Sequence, residues 1–107
     1  MASGKLGIAQ LSANTDTVVY TVPSSTLAVV NFTMVNLSTT TDAYVKVSIS
    51  EDDTPSAGEY IEHTARLNPG GVLERTGIAM TAGERIIFNS DLANVNVRVH
   101  GIEESTV

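Results

Sequence analysis

The chain has 107 residues, 42% hydrophobic and 17% charged, which suits one packed domain over residues 1–107 and is too apolar for a disordered tail. With 6 Lys and Arg against 12 Asp and Glu, a formal net charge of −6 and no basic cluster, it would repel a phosphate backbone, so no nucleic-acid partner is expected. Cysteine is absent, which excludes disulfides, thiol nucleophiles and zinc–thiolate sites.

The start, Met1-Ala2-Ser3-Gly4-Lys5, has no apolar h-region. No apolar run approaches the roughly 20 residues of a membrane helix, so synthesis in a cytoplasm and no membrane partner are expected. Leu6, Ile8 and Gln10 alternate with Gly7, Ala9 and Leu11, a first strand whose small residues suit an edge or a close approach. After the turn cluster at 12–16, residues 17–22 read as a strand with Val18, Tyr20 and Val22 on one face, ended by Pro23.

Residues 27–37 place Ala28, Val30, Phe32 and Met34 on an apolar face, and their β-branched density favours strand over helix. Residues 43–50 repeat the pattern, with Val45, Val47 and Ile49 inward and Tyr44, Lys46 and Ser48 outward. These two segments read as a hairpin. The segment 51–58, with three acids, Pro55 and Gly58, reads as a surface loop and a contact arm.

From 59 to 88, three strand-like runs joined by Asn68-Pro69-Gly70-Gly71 and Thr81-Ala82-Gly83-Glu84 read as an antiparallel meander. Its alternation breaks once, since Leu73 lies opposite Val72 while Ile78 and Met80 fall in phase with Val72. A bulge at Thr76-Gly77, carried by Gly77, would return these apolar residues to the core. After the turn at 89–94, Val95, Val97 and Val99 alternate with Asn96, Arg98 and His100. About eight strands without a helix predict an all-β antiparallel sandwich, immunoglobulin-like or jelly-roll in topology.

Catalytic chemistry finds little support in the residues. There is no Gly-x-Ser-x-Gly elbow; His63, in phase with Ile61 and Ala65, reads as a partly buried histidine, and His100 as an exposed one beside Arg98. Glu51-Asp52-Asp53 lacks the alternating oxygen donors of a calcium loop. Glu59, Glu62 and Glu74 would serve as a glycosidase pair only around a sugar cleft, and a chain with no Trp, two Phe and three Tyr is poor in sugar platforms. The glycosylation-sequon matches at Asn31 and Asn36 overlap a strand and read as chance. No catalytic residue, metal or cofactor is expected. Outward positions rich in Thr, Ser, Asn, Tyr and Ala favour an assembly protein, whose packing would also protect its edge strands.

Several stretches carry a resemblance. Tyr60-Ile61-Glu62, Asn68-Pro69-Gly70-Gly71, Val72-Leu73-Glu74-Arg75-Thr76-Gly77-Ile78, Ala82-Gly83-Glu84 and the ending Val95 through Glu104 resemble small virion structural proteins of tailed bacteriophages. Val19-Tyr20-Thr21-Val22-Pro23 and the stretch from Val30-Asn31 to Val35-Asn36 are also similar to them. The motifs are turns and strand phases and mark no binding residue. The resemblance implies a non-enzymatic capsid decoration or cement protein on the capsid exterior, binding the major capsid protein or other virion proteins as a homo-oligomer, dimer or trimer. Tail, baseplate or fibre components, binding other virion proteins or a host-surface glycan, are the alternative on similar sandwiches. Expected contacts are Glu51, Asp52 and Asp53 of the loop and Met1, Lys5, Glu103 and Glu104 near the termini.

Overall fold

A computed structural model describes residues 3–107, so Met1 lies outside the described residues. Eight strands form: β1 (Ser3–Gln10), β2 (Thr17–Thr21), β3 (Thr26–Asn36), β4 (Ala43–Ser50), β5 (Tyr60–Leu67), β6 (Val72–Thr81), β7 (Arg85–Ser90) and β8 (Val95–Ser105), with one 3-10 turn at Ala57–Glu59. They make two four-stranded antiparallel sheets, ordered β1-β8-β3-β6 (sheet I) and β2-β7-β4-β5 (sheet II). The chain is all-β, and the sheets share one apolar core in a sandwich-like arrangement.

The pairing follows a folded ribbon: β1 pairs with β8, β2 with β7, β3 with β6 and β4 with β5. This overturns two expectations. β5, β6 and β7 form no meander, because β6 lies in sheet I while β5 and β7 lie in sheet II and are separated there by β4. Nor do β3 and β4 form a hairpin, since they belong to opposite sheets. Alternation identifies the apolar side of a strand but not its neighbour, and short turn-rich connections arch between sheets as readily as they close hairpins.

The arches at one end meet at Asn36, which is fully buried. Its Nδ2 donates to the carbonyls of Thr41 at 2.9 Å, Leu67 at 3.1 Å and Asn68 at 3.3 Å, and its Oδ1 accepts from Ser38 N at 3.0 Å. A buried amide is tolerated because its hydrogen bonds are made, and here they fasten loops 37–42 and 68–71 to β3. Asn31 Oδ1 accepts from Gly77 N at 2.9 Å on the outer face of sheet I, so the side chains of both sequon asparagines are hydrogen-bonded within the chain.

Between the sheets, Ala28, Val30, Phe32 and Met34 of β3 and Val95, Val97 and Val99 of β8 face Val45 and Val47 of β4 and Ile86 and Phe88 of β7. Phe32 and Phe88 meet edge to face at 5.2 Å and 80°, a geometry worth about 1 kcal/mol beyond the area it buries. At the open side of the sandwich, Arg75 of β6 reaches Glu62 of β5 at 2.6 Å and bridges the two sheet edges. Both side chains keep solvent contact, so the pair contributes no more than about 1 kcal/mol.

The central pairs β3–β8 and β4–β7 run without interruption, whereas every edge strand carries an extra residue. The insertions fall at Leu6 in β1, Val19 in β2, Thr76–Gly77 in β6, and both Ile61 and His63–Thr64 in β5. Bulges twist an edge away from further pairing, so edge protection is built into the chain and does not require an oligomer. Gly77, at φ 70°, carries the break expected there, and Leu73, Ile78 and Met80 all turn toward the core.

The other bulges were not legible as breaks. That at Val19 leaves Val18 outward and 37% exposed while Tyr20 and Val22 are buried. In β5 the bulge turns His63 out to solvent, correcting its expected partial burial.

Candidate contact surfaces

The ribbon decides which loops share an end of the sandwich. Ser3 pairs with Ile102, Thr26 with Ser105, Leu27 with Thr81, and Arg85 with both Thr21 and Ser50. Thr106 N also donates to Ser25 O, and Gly83 N to Val22 O. One end therefore gathers the 51–59 loop, the 82–84 turn and the carboxyl-terminal segment. Glu51, Asp52, Asp53, Glu59, Glu84, Glu103 and Glu104 lie there, with Arg85 the one cation on these strand ends among the described residues.

Four contacts organise this acidic end. Arg85 Nη1 holds Asp53 Oδ1 at 2.6 Å, and Asp52 N donates to Ser50 Oγ at 3.0 Å, so the loop is fastened to sheet II. Ile87, Ser48 and Ser50 point outward from that sheet, yet each is only 1% exposed where the loop folds back. Glu59 reaches back to accept from Ser56 N at 2.8 Å; this bond first, and the Ser50 hydroxyl second, hold its carboxyl below the usual range. Inside the end, Tyr20 donates to Glu103 Oε2 at 2.5 Å. Burial first, then the Glu103 bond and charge, push the Tyr20 phenol well above its ordinary value. Glu103 is thus half-buried and bound within the fold, whereas Glu51, Asp52 and Glu104 are exposed. Lys5 lies elsewhere, on the outer face of sheet I opposite His100.

That outer face is a second surface. Ile8, Val29, Val72 and Ile102 point outward from it and are 63%, 36%, 54% and 56% exposed. Across β1, β8, β3 and β6 the register sets Ile8, Arg98, Thr33 and Glu74 in one row, and Lys5, His100 and Asn31 in the next. Apolar residues flank this polar belt on both sides, Val35 and Val72 toward one end and Val29, Ala79 and Ile102 toward the other. Ion pairs among the described residues join Arg66 to Asp42, Arg75 to Glu62 and Arg85 to Asp53, leaving Arg98, Lys5 and Glu74 without one.

The residues weighed for catalysis are not brought together. His63 sits on the bulged edge of sheet II against Tyr60, ring centroids 5.0 Å apart, with Nδ1 3.0 Å from Thr64 Oγ1. His100 belongs to sheet I, and its Nδ1 is buried without a partner. Glu59 lies in the 3-10 turn, Glu62 is paired with Arg75, and Glu74 faces outward from sheet I. No cluster of three or more metal-binding side chains occurs among the described residues. Thr64, at φ 56°, is a β-branched residue in the left-handed region, on the rim of a shallow polar depression with Tyr44, Lys46 and Asp91.

Sequence reasoning missed the sheet I patch, although its signal was present. Val29 and Val72 occupy outward positions of their strands, but only the pairing shows that they share a face with Ile8 and Ile102. No family model matches the chain, and no match was found among curated proteins.

Proposed function

We propose that this chain is a non-enzymatic virion structural protein of a tailed bacteriophage, a decoration protein that binds the outside of the capsid shell. The observation that carries this reading is the convergence of contact segments distant in sequence on one acidic end of a β-sandwich. A concentrated negative end is suited to a basic patch on a partner protein and poorly suited to DNA. The resemblance of the strand and turn segments to virion structural proteins supplies the partner class.

The jelly-roll reading of the sandwich is supported by its four ribbon pairs, β1–β8 through β4–β5, in which successive strands lie in opposite sheets at every step but that from β4 to β5. Eight-stranded sandwiches of two Greek keys recur in viral shell domains. In this mechanism there is no turnover. Binding to the assembled shell and not to free subunits stabilises assembly by mass action, by about 2.7 kcal/mol per site when the free protein is at 100 times its Kd.

Co-sedimentation of the purified protein with undecorated shells tests the reading. Saturable binding that weakens with added salt and is lost in the Glu51→Lys/Asp52→Lys variant is the expected result. Wild-type protein that stays in the supernatant at low salt overturns it.

A further inference from the structure

We infer that two copies of this chain pair through the outer faces of sheet I, about a two-fold axis running parallel to the strands. Such an axis lays β1 of one copy over β6 of the other, and β8 over β3. Glu74 of each copy then lies over the partner's Ile8, one strand from the partner's Arg98 and one row from the partner's Lys5. Charges without an ion pair inside one chain find opposite charges in the second copy. In the same arrangement Ile102 meets the partner's Val29, burying two apolar side chains exposed in the isolated chain.

Shape agrees with charge. A shallow depression on this face is lined by Ile8, Gln10, Thr33, Val35, Asn96 and Arg98. The exposed Val72 stands on the far edge strand in the Gln10–Asn96–Val35 row, so the two-fold brings each copy's Val72 over the partner's depression. The other in-plane axis, perpendicular to the strands and crossing the row of Lys5 and Asn31, would set each Lys5 against its own copy and is disfavoured by like charge. Edge-to-edge pairing is opposed by the bulge in every edge strand.

Area sets the size class. Four strands about 4.8 Å apart and roughly 30 Å long present on the order of 600 Å² per copy, near the lower bound for a specific interface. Small interfaces of this class belong to weak, reversible encounters, and a Kd on the order of micromolar is expected. A parallel two-fold also leaves both acidic ends pointing the same way, which would give the pair a bivalent footing on a shell. That last point rests on the decoration reading; the dimer does not.

Sedimentation equilibrium of the full chain, across concentrations about tenfold below and above the micromolar Kd, tests the pairing. Wild type is expected to pass from monomer to dimer. Ile102→Asp, at an exposed position, and the single charge reversals Arg98→Glu and Glu74→Arg should each weaken association by about tenfold or more, and combining the two reversals should restore it. Circular dichroism checks that each variant is folded. A wild type that stays monomeric, or forms a trimer, overturns the inference, as does a dimer indifferent to Ile102→Asp or a double reversal no tighter than the singles. A dimer that forms as described yet fails to bind shells would refute the decoration reading alone.

Discussion

Asn36 gives the sharpest test of how the arches are held. Its two amide hydrogens serve three carbonyls, those of Thr41, Leu67 and Asn68, at 2.9, 3.1 and 3.3 Å, and its oxygen takes Ser38 N at 3.0 Å. Asn36→Ala removes these bonds and leaves the loops at 37–42 and 68–71 without their shared anchor. Two amide hydrogens and one acceptor oxygen at about 1 kcal/mol each give a loss of about 3 kcal/mol. That is a large share of the roughly 5–15 kcal/mol that holds a typical domain folded. Asn36→Asp keeps the shape but aims lone pairs at the same carbonyls, so the folded state raises this carboxyl above its ordinary value of about 3.9. A raised folded-state pKa means the stability of this variant is fully present below about pH 4 and falls as pH rises through the folded value. Urea unfolding at pH 4 and pH 7, referred to wild type at each pH, reads both effects. A loss under about 1 kcal/mol for Asn36→Ala, or an Asn36→Asp deficit no larger at pH 7 than at pH 4, would refute the reasoning.

Two further predictions use the same unfolding assay. A Cβ at Gly101 would overlap the Val29 carbonyl between β8 and β3, whereas one at Gly77 meets open space. Gly101→Ala is therefore expected to cost at least about 2–3 kcal/mol, and Gly77→Ala, with only its φ of 70° to resist, about 1 kcal/mol; equal losses would contradict the packing. The Tyr20 phenol is raised above its ordinary value of 10.0, so its contribution is fully present below pH 10 and is lost as pH rises beyond it. Tyr20→Phe should flatten that alkaline decline, and an unchanged decline would show that another group causes it.

How much of this was legible depended on which physical rule set each feature. Strand positions followed from alternation, and the buried valines of β8 and the apolar face of β3 lie where the period puts them. The break at Gly77 was legible because three apolar residues lost phase beside a glycine. The bulges at Val19 and at His63–Thr64 carry no glycine, and a threonine in the left-handed region leaves no compositional trace.

Pairing was the larger loss. A short turn looks locally like a hairpin, but here the turns arch between sheets, and that decision is made by core burial over the whole chain and not by the four turn residues. The acidic end and the sheet I patch depend on pairing, so neither was visible as a surface. Their members were partly anticipated: Glu51, Asp52, Asp53, Glu103 and Glu104 were expected contacts and share one end, while Lys5 belongs to the other surface.

The proposed role requires that a bacteriophage encode the chain, and it is tested most directly by labelling the chain in purified virions of that bacteriophage and locating it by electron microscopy. The decoration reading predicts label distributed over the outer surface of the capsid. Label confined to the tail, or a chain absent from virions, would contradict it.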